Sequence, residues 1–172
     1  MSEQFDTFSE TGERLGTEYR SIVHREGIWH RASNVFVFFP DGRLLIQRRQ
    51  FSKDICPGAW DVSAAEHLKP GETFEEGALR GLEEELGISG VTLEICGEVV
   101  KTRLELPELG VRDFEFQQSF RTTYAGPVTL DPDEVLEVRL IELQALEKEM
   151  AQDPVKFTPW FHRRASDLRL FV

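Results

Sequence analysis

Residues 66–88 of this chain, EHLKPGETFEEGALRGLEEELGI, gather carboxylates around a single arginine. On a helix, positions three and four apart share a face. Residues 81, 84, 85 and 88 form such a set, and Glu84 and Glu85 fill two of its places. Adjacent carboxylates repel each other, and a divalent cation between them removes that repulsion. Mg²⁺ takes oxygen ligands and keeps several waters, so a carboxylate helix suits a cation held against a phosphate group. Arg80, one turn before Glu84, is placed to orient these carboxylates. Two positions fit this chemistry poorly. Gly81 stands where a further carboxylate would complete the face, and glycine inside a helix costs about 1 kcal/mol relative to alanine. Glu66 is a bulky acid in a loop rich in breakers.

The elements that position these groups are legible in the pattern. Thr73 and Glu76 have the spacing of a capping box. Phe74, Ala78, Leu82 and Leu86 recur at helical spacing, and Gly87 is a natural stop. A buried strand is predicted at 33–39, a Pro40-Asp41-Gly42 turn follows, and its hairpin partner covers 44–49. Residues 53–70 read as loop. Strands are predicted at 91–103, 112–124 and 135–141, with helices at 142–152 and 158–169. In the strand 112–124, Phe114, Phe116 and Phe120 share one face. Asp113, Glu115, Gln117 and Ser119 share the other, so a strand that buries phenylalanines presents two carboxylates on its reverse. Residues 1–18 read as a loose leader or one edge strand. Mixed strands and helices predict an α/β or α+β sandwich with a mixed sheet in one domain, 1–172.

The composition narrows the function classes. With 31 acidic against 20 basic residues the formal net charge is −11. A broad surface for duplex nucleic acid is therefore not expected, because phosphate affinity comes mainly from Lys and Arg. A small phosphorylated ligand in a local basic pocket remains compatible. The two cysteines, Cys56 and Cys96, do not suggest a disulfide scaffold in 172 residues. No apolar run approaches the roughly 20 residues needed to span a membrane. No secretory signal pattern is visible at the N-terminus, and the cytoplasm is the expected compartment. The oligomeric state is not written in the sequence, and a homodimer is carried as an expectation only.

The stretch 66–88 resembles the Nudix box, G-x5-E-x7-R-E-U-x-E-E-x-G-U, with U a bulky aliphatic. Glu72, Arg80, Leu82, Glu84, Glu85, Gly87 and Ile88 match it, while Glu66 and Gly81 replace its first Gly and the first Glu of its core. The resemblance implies an α/β/α sandwich and Mg²⁺- or Mn²⁺-dependent hydrolysis of a diphosphate linked to another moiety. The flanking text, LLIQRRQFSKDICPGAWDVSAAEHLKPGE, resembles the branch that includes type 1 isopentenyl-diphosphate isomerase and its hydrolase relatives. That likeness makes Arg49 and Lys53 a diphosphate clamp and matches Asp113 and Glu115 to an acidic pair. It also matches His30 and His67 to metal-binding histidines. The counterpart of the other N-terminal histidine is Val23, with His24 one place off, and the isomerase cysteine is replaced by Ala65.

The resulting expectation is a Nudix-type hydrolase of a small diphosphate-containing molecule. Glu84, Glu85, Glu115 and Arg80 are the catalytic candidates. Glu84, Glu85, Glu66, Glu115 and the Ala65 carbonyl are the metal candidates, and Arg49, Lys53 and Asp113 the substrate-binding ones. Glu66 is expected to supply the charge that Gly81 lacks, and Trp160 to cover the substrate mouth. A binding module without turnover and a prenyl diphosphate isomerase are the alternatives, the first supported by Gly81 and the second opposed by Ala65.

Overall fold

The computed structural model describes residues 3–171. The segment expected to be a loose leader or one edge strand is instead a hairpin, in which β1 (Gln4–Phe8) pairs antiparallel with β2 (Arg14–Tyr19). Four of its side chains, Phe5 to Phe8, are buried, with Phe5 almost wholly inaccessible. Asp6 fastens the hairpin: its carboxylate accepts from Arg14 at 2.7 Å and from the Gly71 amide at 2.9 Å. These bonds hold Asp6 below the usual carboxylate range. A short helix follows, α1 (Arg20–Glu26), ended by Gly27 in the left-handed conformation.

The main sheet is built around β3 (His30–Phe38). Both faces of β3 are covered, which explains its nearly continuous apolar run. β4 (Leu44–Arg49) pairs with the end of β3 at Val37 and Phe38. β5 (Trp60–Asp61) pairs with β4. β6 (Ala64–His67) pairs with the beginning of β3, at residues 32–35. The same edge of β3 thus serves two strands, and β4 and β6 diverge from it. The loop expected over 53–70 is therefore not all loop. Two short strands there were missed because they carry little periodicity.

The carboxylate helix is α2 (Phe74–Leu86), with the Thr73–Glu76 capping box formed and Gly87 as its left-handed cap. β7 (Glu94–Leu106) and β8 (Val111–Thr123) make a long hairpin, and β8 runs parallel to β3 along its other edge. β9 (Val135–Ile141) pairs with β4. Two helices close the chain's remaining face, α3 (Leu143–Gln152) and α4 (Pro159–Asp167). One core sets Phe36, Leu44 and Ile46 against Leu146 and Phe161 of α3 and α4. The other sets Val35, Val37 and Leu45 against Ala78, Leu82 and Leu86 of α2. The result is the expected α/β/α sandwich with a mixed sheet. Among the described residues no helix is long and apolar enough to cross a membrane.

Phe5 links the hairpin to the sheet. Its ring stacks on His30, with centroids 5.1 Å apart and an interplanar angle of 9°. Truncating a buried phenylalanine removes both its burial and its packing. Phe5→Ala should lower stability by about 3 kcal/mol in urea unfolding. A loss below about 1 kcal/mol would mean that the hairpin does not rest on the layer beneath it.

Candidate active site

Three imidazoles meet under Phe5. His24 comes from the last turn of α1, His30 from the start of β3 and His67 from the end of β6. Their ring centroids form a near-equilateral triangle, 5.2, 5.3 and 5.1 Å on a side. Two carboxylates of β8 face them. Asp113 Oδ1 lies 3.6 Å from His24 Nε2 and 3.3 Å from His30 Nε2. Glu115 Oε1 lies 3.8 Å from His30 Nε2 and 3.3 Å from His67 Nε2. The expected burial of β8 is thus partly reversed: Asp113 and Glu115 are each 7% exposed, while of the phenylalanines opposite only Phe120 is buried and Phe114 and Phe116 are half-buried.

The cluster has the donors of a metal site. One ligand atom from each of His24, His30, His67 and Asp113 lies within 4.8 Å of all the others. The buried His24 Nε2, His30 Nε2 and Asp113 Oδ1 have no hydrogen-bond partner. Leaving such atoms unpaired costs about 1–3 kcal/mol each, so a cation among them would remove a real penalty. His30 Nδ1 lies 3.0 Å from the Ile28 carbonyl; donation there leaves Nε2 facing the cluster as a ligand. Burial, reinforced by His67, pushes His24 down to about 4. Burial and His30 push His67 down to about 3. Both are therefore neutral near pH 7, the form that coordinates metals. Burial alone would raise Asp113, yet the adjoining His30 outweighs it and holds Asp113 down. Burial and Asp113 raise Glu115, whose Oε2 accepts from Gln117. Three imidazoles suit Mn²⁺, Zn²⁺ or a similar ion better than Mg²⁺, which prefers an all-oxygen shell.

The second group of polar residues belongs to α2 and the split between β4 and β6. Arg80 is its centre. It grips Glu72 with Nε and Nη2 at 2.8 and 2.9 Å, the His67 carbonyl at 2.8 Å and Glu84 at 2.9 Å, and it pairs with Glu66 at 3.1 Å. Burial opposes the charge of Arg80, but these acids raise its pKa regardless. Glu85 is buried and accepts from Gln47 of β4. Burial, with Glu66 beside it, raises Glu85 well above the usual range. Arg49 is fixed by bonds to the Ile55 carbonyl and to the fully buried Asp61. Asp61 also accepts from Thr158 and Trp160, and the Trp160 ring lies 5.2 Å from the Arg49 guanidinium.

One cavity joins the two groups. Its walls include Asp113, Glu115 and His67 of the first group, Glu66, Arg49 and Trp160 of the second, and Ala65. Trp160 is a wall of this cavity, as expected of a residue at its mouth. A neighbouring groove shares Arg20 and Ile55 with it and adds Ser21, His24 and Arg25. Several expected positions differ. Lys53 pairs with Glu134 and is not among the walls. Glu84 is half-exposed and bound to Arg80 and Lys69, away from the cavity. Asp113, expected to touch substrate, faces the imidazoles and also lines the cavity. His24, not Val23, completes the histidine triangle. Val23 is fully buried as a core residue, and a helix turns its next residue by about 100°. The unpredicted α1 concealed this rotation, although the close spacing of His24 and His30 was a signal. Ala65 lines the cavity as a strand residue paired with Asn34.

The comparisons agree with this architecture. Residues 28–161 match the family model described as NUDIX domain. The isopentenyl-diphosphate Delta-isomerase of Serratia proteamaculans is 30% identical over 90% of this chain and 84% of its own length. The enzyme of that name from Cereibacter sphaeroides is 34% identical over 84% of this chain and 81% of its own. A crystal structure from Deinococcus radiodurans superposes with a TM-score of 0.69 at 22% identity, covering 87% of this chain and 90% of that one. Match and fold lead to one conclusion: this chain belongs to the Nudix family.

Proposed function

We propose that this Nudix chain is a divalent-metal-dependent hydrolase of a diphosphate linkage in a small molecule. The observation that carries the reading is the cavity wall. His67, the carboxylates of Glu66, Asp113 and Glu115, and Arg49 converge there, while Ala65 stands where the resemblance to the isomerase would call for a thiol. Moving a proton along an allylic diphosphate needs an acid and a base on the reacting carbons. A methyl group at residue 65 supplies neither, and neither cysteine is among the walls of that cavity. Hydrolysis needs no thiol.

His24, His30, His67, Asp113 and Glu115 would hold the ion. When bound, the ion supplies charge neutralisation for phosphate oxygens and a water of lowered pKa. Arg49 is fixed by Asp61 before any ligand arrives, so its guanidinium can take a phosphate at little further entropic cost. Glu115 Oε1 would accept the proton of the attacking water as its oxygen bonds to phosphorus and the bridging P–O bond breaks. Arg80 acts at a distance, holding Glu66, Glu72 and Glu84 in place. The groove beyond Arg20 offers room for the group attached to the diphosphate.

A second reading, a prenyl diphosphate isomerase, is favoured by the complete histidine triangle and by the 30–34% identity to proteins bearing that name. Incubation with Mn²⁺ separates the two. Cleavage of the bridging P–O bond is expected, read as two phosphomonoesters from nucleoside diphosphate derivatives and as a monophosphate plus inorganic phosphate from prenyl diphosphates. Conversion of isopentenyl to dimethylallyl diphosphate without such cleavage would select the isomerase instead. Ala65→Cys should raise isomerisation above a wild-type background of none. Calorimetric titration with Mn²⁺ should show His67→Ala and Asp113→Asn each weakening binding about 10- to 100-fold. Glu115→Gln should lower kcat about 100-fold with a smaller change in KM; equal loss in a binding assay would make Glu115 a ligand alone.

A further inference from the structure

We propose that Glu66 and Gly81 form a reciprocal pair, in which β6 delivers to the face of α2 the carboxylate that α2 itself lacks. This rests on the metal-dependent reading above. A methyl group placed on Gly81 would lie 2.9 Å from Glu66 Cβ and 3.4 Å from its Cγ. Carbon atoms of this kind essentially never approach within 3.0 Å, and Glu66 Cβ cannot swing away because it is attached directly to the backbone of a paired strand. Glu66 therefore requires a glycine at 81. Gly81 has no positive φ, so its backbone gives no other reason for glycine. Its cost to the helix is offset by what occupies the space.

The occupant is chemically suited to the position. Glu85 Oε1 lies 3.5 Å from that same methyl position, so the Glu66 stem enters the helix face beside the buried Glu85. The Glu66 carboxylate meets Arg80 at 3.1 Å and forms part of the cavity wall. Positions 81 and 85 are one turn apart and share a face. A carboxylate carried from the strand thus stands next to Glu85, much where one at 81 would have stood. Simple erosion of the helix would have left a void over Gly81 instead of a filled one.

Thermal unfolding of the metal-free protein tests the packing. Gly81→Ala should lower Tm in the wild-type background, through the contact with Glu66. In a Glu66→Gly background it should raise Tm by roughly 2–4 °C, because alanine is the better helix former. The same sign in both backgrounds would overturn the pairing. Mn²⁺ titration followed by electron paramagnetic resonance tests the carboxylate. A His24→Ala/His30→Ala/His67→Ala background removes all three imidazole donors, so that the remaining signal comes from carboxylates. There Glu66→Gly should weaken binding about tenfold, and adding Gly81→Glu should restore it. Binding indifferent to Glu66, or not restored by the double change, would overturn the delivered carboxylate. Neither readout needs turnover, so a wild-type protein that cleaves no diphosphate would count against hydrolysis and leave this pair standing.

Discussion

Arg80 holds the functional half of this molecule together. One guanidinium reaches Glu72 ahead of the helix, Glu84 on the helix, and both Glu66 and the His67 carbonyl on β6. These partners belong to β6, the loop after it and α2, and the planar, always-charged fork of arginine can serve them together in a way lysine cannot. If Arg80 were lost, Glu66 would remain beside Glu85 with no cation facing it, and β6 would lose its tie to α2. His67 and Ala65 lie on that strand. The geometry of the histidine triangle therefore depends on an ion-pair network on the far side of β6.

The two halves of the site are built under opposite electrostatic conditions. Around His24 and His67, burial removes charge from imidazole, while at His30 the carboxylates of Asp113 and Glu115 on β8 outweigh burial and favour the charged form. Around Glu85 and Glu66, burial works against the acids themselves. Each arrangement is costly while unpaired and becomes favourable around a cation. The hairpin bearing Phe5 keeps the first group out of water, and the packing of Gln47 on Glu85 does the same for the second.

Much of the architecture follows from local pattern. The capping box at Thr73, the apolar stripe through Leu86 and the stop at Gly87 appear in the fold as they read in the chain. So do the alternation of β8 and the strands 44–49 and 135–141. The hairpin over residues 4–19 and the helix α1 were not legible, because short elements depend on what they pack against more than on propensity. Their omission mattered, since α1 carries His24 and β1 carries the ring that covers it.

Residue types and spacing were enough to establish the family, the carboxylate helix, the loss of the thiol at Ala65 and the two anomalies at Glu66 and Gly81. All of these are local, and periodicity or motif spacing records them. Which side chains share a cavity was decided by folding. His24, His30, His67 and Asp113 converge from four elements, Lys53 and Glu84 turn elsewhere, and the Glu66 stem fills the space above Gly81. The reason is that contact across a sheet is set by strand pairing and helix rotation, and a shift of one residue in either sends a side chain to a different face.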